Sequence, residues 1–287
     1  MGPVRLGIAP KSRDPAWVRW GLTSIALVAL TILVIVPVVS VFVEAFANGL
    51  GAYWNNLVGD PDTRAAMLLT VVVAPAAVIS NLIFGVAAAW AIARFRFPGR
   101  TLLITAIDLP FSISPVVVGL MFVLLFGLQG FFGPTLRANG FQVLFTVPGL
   151  ILATTFVTLP FVARELIPVM EAIGPDEELA ALSLGASGRQ MFWKITVPNI
   201  KWGLLYGVIL CNARAMGEFG AVYVVGGRVA GETNTMPLQV EMLFAGFDTP
   251  AAFAVASVLT LLAVVSLILK TVVEDKKREE PSSLKKT

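Results

Sequence analysis

Apolar residues in this chain come in long unbroken runs, not in the stripes of an amphipathic soluble helix. Six runs are long enough to test against a bilayer: residues 21–43, 65–93, 102–127, 144–163, 202–225 and 249–269. A helix rises about 1.5 Å per residue, so crossing a hydrocarbon core of about 30 Å takes about 20 residues. The first two runs carry no charge, and the second is long enough to tilt or to bend at Pro75. The third is interrupted by Asp108, Pro110 and Pro115, and the fourth is shortened by Pro148 and Pro160. The pattern predicts an all-α membrane protein with six transmembrane helices. A basic stretch precedes the first run, and Ala45-Phe46-Ala47 has the small residues of a leader cleavage site. Its apolar core exceeds the roughly 7–15 residues of a leader, so it reads as a retained anchor.

Composition agrees: 57% of the 287 residues are hydrophobic and 14% charged, where a soluble domain is about a quarter charged. Charge placement adds orientation. With the N-terminus inside, seventeen of the 21 lysines and arginines fall in inside segments; only Arg64, Arg137 and Arg228 fall outside, and Arg214 lies within the fifth run. By the positive-inside rule both termini are expected in the cytoplasm. The organisation is then a cytoplasmic segment 1–20, a transmembrane domain 21–273 and a solvated mixed-charge tail 274–287. The same bias accounts for a pI near 9.2 without nucleic acid. One cysteine, Cys211, and no histidine exclude an internal disulfide and a Cys-rich metal site, and remove the usual neutral-pH proton carrier. Neither a GxxxxGK[ST] loop nor a GxGxxG turn is present, so no resident nucleotide or metal is expected and no residue is assigned as catalytic. The aromatic residues near run ends, Trp17, Trp20, Tyr53, Trp54, Trp90 and Trp202, read as interface anchors.

The most informative loop is 174–199. Gly174-Pro175 suits a helix start, and Asp176, Glu177 and Glu178 then lie at the positive end of the helix dipole. Leu179, Ala180, Ala181 and Leu182 follow, and Gly185 suits a left-handed stop. Ser187-Gly188-Arg189-Gln190 reads as a capping box opening a second short helix that Pro198 ends. That helix carries Met191, Phe192, Trp193 and Ile195, with little core in so short a hairpin to bury them. They face either the lipid interface and the protein's own helix ends, or a partner protein.

Within the fifth run, Arg214 and Glu218 are four apart and share a helix face. About twelve residues from the start of that run, Arg214 is about 18 Å deep. Charges at such depth face a bundle interior or a water-filled path. The pair is either an internal tie fixing helix register or part of a translocation pathway. Its neutrality matters: clustered arginines would hold a dianion too tightly to release it. Near the inner end of the third run, Asp108, Ser112, Ser114 and the neighbouring prolines mark either pore-lining irregular backbone or an interfacial bend capped by Asp108. The segment 226–248 has paired glycines and a short helix expected to open at Pro237; it is an outer gate, a receptor for a binding protein, or a lid on the bundle.

Ala180-Ala181-x3-Gly185-x9-Ile195-x-Val197-Pro198 resembles the EAA loop of ABC-importer permeases, with Leu179 where that pattern has glutamate and Val197 where it has leucine. The run Asn212-Ala213-Arg214-Ala215-Met216-Gly217-Glu218-Phe219-Gly220-Ala221-Val222, with Gly231-Glu232-Thr233 and Pro237-Leu238-Gln239, resembles the sulfate/molybdate branch of these permeases. So do Phe97-Pro98-Gly99-Arg100, Asp108-Leu109-Pro110-Phe111 and Pro160-Phe161-Val162-Ala163-Arg164-Glu165. The resemblance, over roughly residues 20–270, is to permeases of sulfate/thiosulfate importers. It implies a MetI-like bundle in a bacterial inner membrane, with 174–199 as a coupling loop seated in a cytoplasmic ATPase and Gly185 as its joint. Further implied partners are a second related permease, a second copy of the ATPase, an extracytoplasmic sulfate-binding protein, and ATP and Mg held by the ATPase. Alternatives are molybdate or tungstate as cargo, a secondary anion transporter, and a non-transporting scaffold. The scarcity of intramembrane carboxylates weighs against proton coupling.

Overall fold

The computed structural model describes residues 15–283; Arg5, Lys11, Arg13, Lys285 and Lys286, which contribute to the charge bias above, lie outside the described residues. Among the described residues all regular structure is helical. The order is α1 (Trp17–Ala45), α2 (Gly49–Trp54), α3 (Pro61–Arg94), α4 (Arg100–Ser112), α5 (Pro115–Phe126) and α6 (Gly133–Ala138). Then come α7 (Val147–Ile173), α8 (Asp176–Ser183), α9 (Gly188–Met216), α10 (Gly220–Gly226), α11 (Met236–Ala245) and α12 (Thr249–Ser283). Four helices are long and apolar enough to cross a membrane, and six spans result if the bent pairs α4/α5 and α9/α10 each count as one.

The first bend falls at the interruption expected in the third run, whereas the break in the fifth was not expected. α4 and α5 meet at 111°. Pro115 lacks an N–H and its ring disfavours helical backbone in the residue before it; Ile113 and Ser114 are accordingly extended, with ψ of 135° at each. α9 and α10 meet at 54° around Gly217–Phe219. The fourth span also runs ten residues further than its clean apolar core, to Ile173. Arg164 therefore belongs to a helix and not to a loop. The mixed-charge tail continues the last helix through Ser283.

Two prolines sit inside continuous helices by a shared device. A proline clashes with the carbonyl four residues back and cannot donate to it. Before Pro37 and before Pro198 the helix widens into a π turn, Thr31–Ile35 and Phe192–Thr196. The N–H of Val36 donates to Thr31 O, and that of Val197 to Phe192 O, five residues back. Pro198 therefore does not end the hairpin's second helix, which runs on as span five.

The core forms where α3, α7 and α9 pack, around Val78, Ala89, Val162, Leu166, Met170, Ile200 and Cys211. Asn81 Nδ2 donates to Thr158 Oγ1 at 2.8 Å within it. A second cluster joins α5, α7 and α10 through Val118, Phe122, Ala153, Val157, Ala221 and Val225. Tyr53, expected at the interface, is buried, its hydroxyl 3.2 Å from Ser257 Oγ on α12. α1 is largely exposed, with only Ala45 buried, and it packs on α12 through its second half, Val36–Ala45.

Small residues decide how closely these helices approach, as in membrane bundles generally. A Cβ built on Gly85 would lie 2.8 Å from Val162 Cβ and 3.1 Å from the Ala163 N. Gly85→Ala is expected to push α3 from α7 and cost about 1–3 kcal/mol. Gly21→Ala, with nothing within 4 Å of the added carbon, should be neutral or stabilising. Thermal unfolding of the two variants in detergent checks the contrast; equal behaviour would discredit the packing argument.

Candidate functional site

The loop 174–199 forms a helical hairpin at one end of the bundle. Gly174 turns the chain with φ +73°, and α8 places its three acidic residues in the first turn. Gly185 takes φ +89°, its N–H donating to Leu182 O and that of Ala186 to Ala181 O. This is the paired geometry of a left-handed helix stop. Ser187 Oγ accepts from Gln190 N, and Gln190 Oε1 accepts from Ser187 N, closing a capping box that starts α9.

One buried ion pair fastens this hairpin to the bundle. Glu178 is 7% exposed. Arg94, at the end of α3, donates Nε to Glu178 Oε2 at 2.7 Å and Nη2 to Oε1 at 3.2 Å. Its Nη1 donates to Met170 O at 2.7 Å, reaching α7. Thr196 Oγ1 also donates to Glu178 Oε1, at 2.9 Å, from the π turn of α9. One carboxylate thus joins α3, α7, α8 and α9. Glu177 and Glu171 support it from the side, accepting from Asn199 Nδ2 and Arg100 Nη2.

The apolar surface differs in membership from the expected cluster. Met191 is buried and takes Thr196 Oγ1 against its sulfur, so it is structural and not contact surface. Phe192 is half-buried, its ring 5.6 Å from that of Trp90, and Ile195 is also half-buried. Trp193 is 62% exposed and Leu184 88%, joined by exposed Leu179 and Leu182. Ala180 and Pro198 are exposed as well, and Ala181 is half-buried. The spacing Leu179, Leu182 at i, i+3 before the glycine stop signals this face. Arg94 could not be paired with Glu178 from sequence, since 84 positions separate them.

Arg214 and Glu218 do form an ion pair, Nη1 to Oε2 at 2.8 Å. They do not share a continuous helix, because the chain unwinds between them at Gly217. Glu218 instead bridges the break: it is 2% exposed, and its Oε1 accepts from Ala221 N at 3.0 Å, in the first turn of α10. Asp108 does not cap the bend in span three. It pairs with Arg164 of α7, Oδ1 to Nε at 2.8 Å, with the guanidinium over the Phe111 ring at 5.2 Å. Ser112 and Ser114 are exposed at the break, and Ser114 makes no side-chain cap bond. The two breaks adjoin: a Cβ on Gly220 would lie 2.9 Å from Pro115 Cβ and 3.1 Å from Val116 N. Both discontinuous helices therefore meet at their interruptions, each beside a neutralised charge pair. Discontinuous helices with polar breaks are the usual devices for exposing backbone groups at membrane depth. Arg164 is the polar residue that sequence reasoning had left in a loop.

The clamp is testable. Arg94→Met leaves Glu178 buried without its counter-charge and is expected to cost about 3–5 kcal/mol. Arg94→Met/Glu178→Leu should recover most of that loss. Thermal unfolding and protease cleavage within 174–199 read the outcome, and an undiminished Arg94→Met protein would remove the clamp from the account.

Residues 81–279 match the family described as binding-protein-dependent transport system inner membrane component. The sulfate transport system permease protein CysW of Synechocystis sp. is 51% identical over 259 residues, covering 90% of this chain and 94% of that one. The CysT sulfate permease of Salmonella typhimurium is 38% identical over 247 residues, covering 86% and 87%. A bacterial alginate ABC transporter, solved in complex with an alginate pentasaccharide-bound periplasmic protein, superimposes with TM-score 0.73 at 18% identity, covering 91% of this chain and 94% of the matched one. At that identity the likeness is one of fold. The chain is a multi-pass membrane protein that belongs to the family of inner-membrane components of binding-protein-dependent transport systems.

Proposed function

We propose that the chain is a permease subunit of an ATP-driven importer for sulfate and thiosulfate in a bacterial inner membrane. The observation that carries this reading is the 51% identity to a CysW sulfate permease along 90% of the chain. The 38% identity to a CysT permease supports pairing with a second, related permease across the pore. The alginate transporter solved with its periplasmic protein supports delivery of the anion by an extracytoplasmic binding protein. Two copies of a separate ATPase would bind ATP and Mg, and the permease would hold neither.

The hairpin end faces the cytoplasm in this reading, as the lysine and arginine bias favours. Leu184, Trp193, Leu179 and Leu182 form the apolar face that an ATPase groove would take. Closure of the ATPase dimer moves the hairpin, and the Arg94–Glu178 clamp keeps that motion from being absorbed as hairpin tilt. α9 carries it onward as one lever of about 43 Å, from its 29 residues at 1.5 Å each. The lever ends at Gly217–Phe219, where bending opens or closes the region between the two helix breaks.

Charge pairing at this level suits a released dianion. Arg214 is matched by Glu218 and Arg164 by Asp108, so neither break carries a standing positive charge. A path without net charge lets the anion pass on backbone N–H groups and hydroxyls and leaves tight binding to the delivering protein.

Leu184→Asp and Trp193→Asp place a charge in the proposed ATPase contact. Each is expected to lower uptake of labelled sulfate more than about tenfold and to lose the ATPase from the purified complex, as for central interface anchors. The unfolding midpoint of the permease should stay unchanged. Full uptake with the ATPase retained would overturn the coupling assignment. Molybdate competing as well as unlabelled sulfate would overturn the cargo assignment alone.

A further inference from the structure

Beside the break in span five, buried polar groups from several elements converge on one small space. Glu218 contributes Oε2, which lies 2.8 Å from Arg214 Nη1 but outside hydrogen-bond geometry. Thr154 of α7 is wholly buried, and Thr235, just before α11, is 4% exposed. Neither hydroxyl has a hydrogen-bond partner among the described residues. All three side chains line a cavity of about 10 Å³, with Thr70 of α3 in its wall and Val73 and Val222 closing it. That is about the smallest space that houses one water molecule.

Thr70 completes the set. Its hydroxyl donates to Ala66 O and accepts from Met236 N, which leaves one lone pair. We infer that this cavity is the site of a single internal water, bridging Glu218, Thr154, Thr235 and Thr70. The bookkeeping closes: the water accepts from the two threonine hydroxyls, Thr154 and Thr235, and donates to Glu218 Oε2 and Thr70 Oγ1. A water in protein interiors makes about three such bonds, and buried groups left without one are costly. A sodium ion would also meet four oxygens. It would, however, share one carboxylate with the Arg214 guanidinium, placing two cations on one anion, and the donors of Thr154 and Thr235 would stay unused.

The water is a tie at the hinge. It joins α3, α7 and the segment before α11 to the one residue that bridges α9 and α10. It does so independently of what the permease carries.

Thr154→Val and Thr235→Val remove each hydroxyl at constant shape. Thr235 makes no side-chain cap bond, so its loss costs α11 nothing directly. If the water is present, each single substitution lowers the unfolding midpoint of the purified complex by about 2–4 °C. The double variant then falls little further, because both remove one hub. A rise or no change in either single variant overturns the proposal, since replacing an unbonded buried hydroxyl by a methyl is neutral or favourable. An additive fall does so too. A structure of the unaltered complex resolving ordered solvent should show one peak within hydrogen-bonding reach of Thr154, Thr235 and Glu218. No peak, or a peak that strengthens when thallium replaces sodium, sinks it.

Discussion

A single buried carboxylate fixes the hairpin 174–199 to the membrane bundle. Glu178 is taken out of water, and the cost of that step is offset only because Arg94 meets both of its oxygens. Arg94 in turn is fixed by Met170 O, and Thr196 adds a third donor to Glu178. Such a node tolerates little rearrangement, since pulling the carboxylate from the guanidinium would leave two buried charges exposed to each other's absence. The hairpin 174–199 is therefore a rigid extension of α3 and α7. Without the node, Gly174 and Gly185, both at positive φ, would leave α8 joined to the bundle by two pliable turns.

The two membrane-level ion pairs follow a different logic. Arg164–Asp108 is substantially exposed on the single chain, with side chains 56% and 34% accessible, while Glu218 is almost fully enclosed. An exposed guanidinium on a spanning helix is costly against lipid, so the α4/α7 face that carries it belongs against water or another subunit. The Arg214–Glu218 pair instead spans a helix break, where Glu218 also caps α10 through Ala221 N. One pair marks a surface; the other holds a hinge.

The fold was largely legible from the sequence because span detection rests on a local quantity, the length of an apolar run. Six runs map onto six candidate spans. What was hidden depended on geometry between distant residues. Pro115 was visible as an interruption, but a turn of 111° there is set by where α5 can pack, through Gly119 and Gly220 against α10. Arg94 read only as a positive charge on one side, because its partner is 84 positions away. Met191 read as surface since nothing local shows that Thr196 and Glu178 would draw it inward. The capping box and the Gly185 stop, by contrast, are contained within a few residues and were readable as such. The roles of Arg214 and Glu218 were left open between tie and pathway, and what no local pattern showed is that the pair spans a helix break, with Glu218 also accepting from Ala221 N.

The π turn at Phe192–Thr196 completes the mechanical argument. An ordinary α-helical turn there would place the Pro198 ring against the Lys194 carbonyl and kink or end the helix, and a hinge at that point would dissipate any movement of the hairpin. Widening the turn by one residue moves that carbonyl out of the way while the Val197 N–H still finds Phe192 O. The same widened turn aims Thr196 at Glu178. Stiffness is thus preserved from Gly188 to Met216 and given up only at Gly217–Phe219, so the flexibility of span five is concentrated beside the break in span three. On the proposed coupling, a helix stiff at its hairpin end and broken at Gly217–Phe219 would convert a push on Leu184 and Trp193 into a change of angle at Glu218, the displacement that alternating access requires.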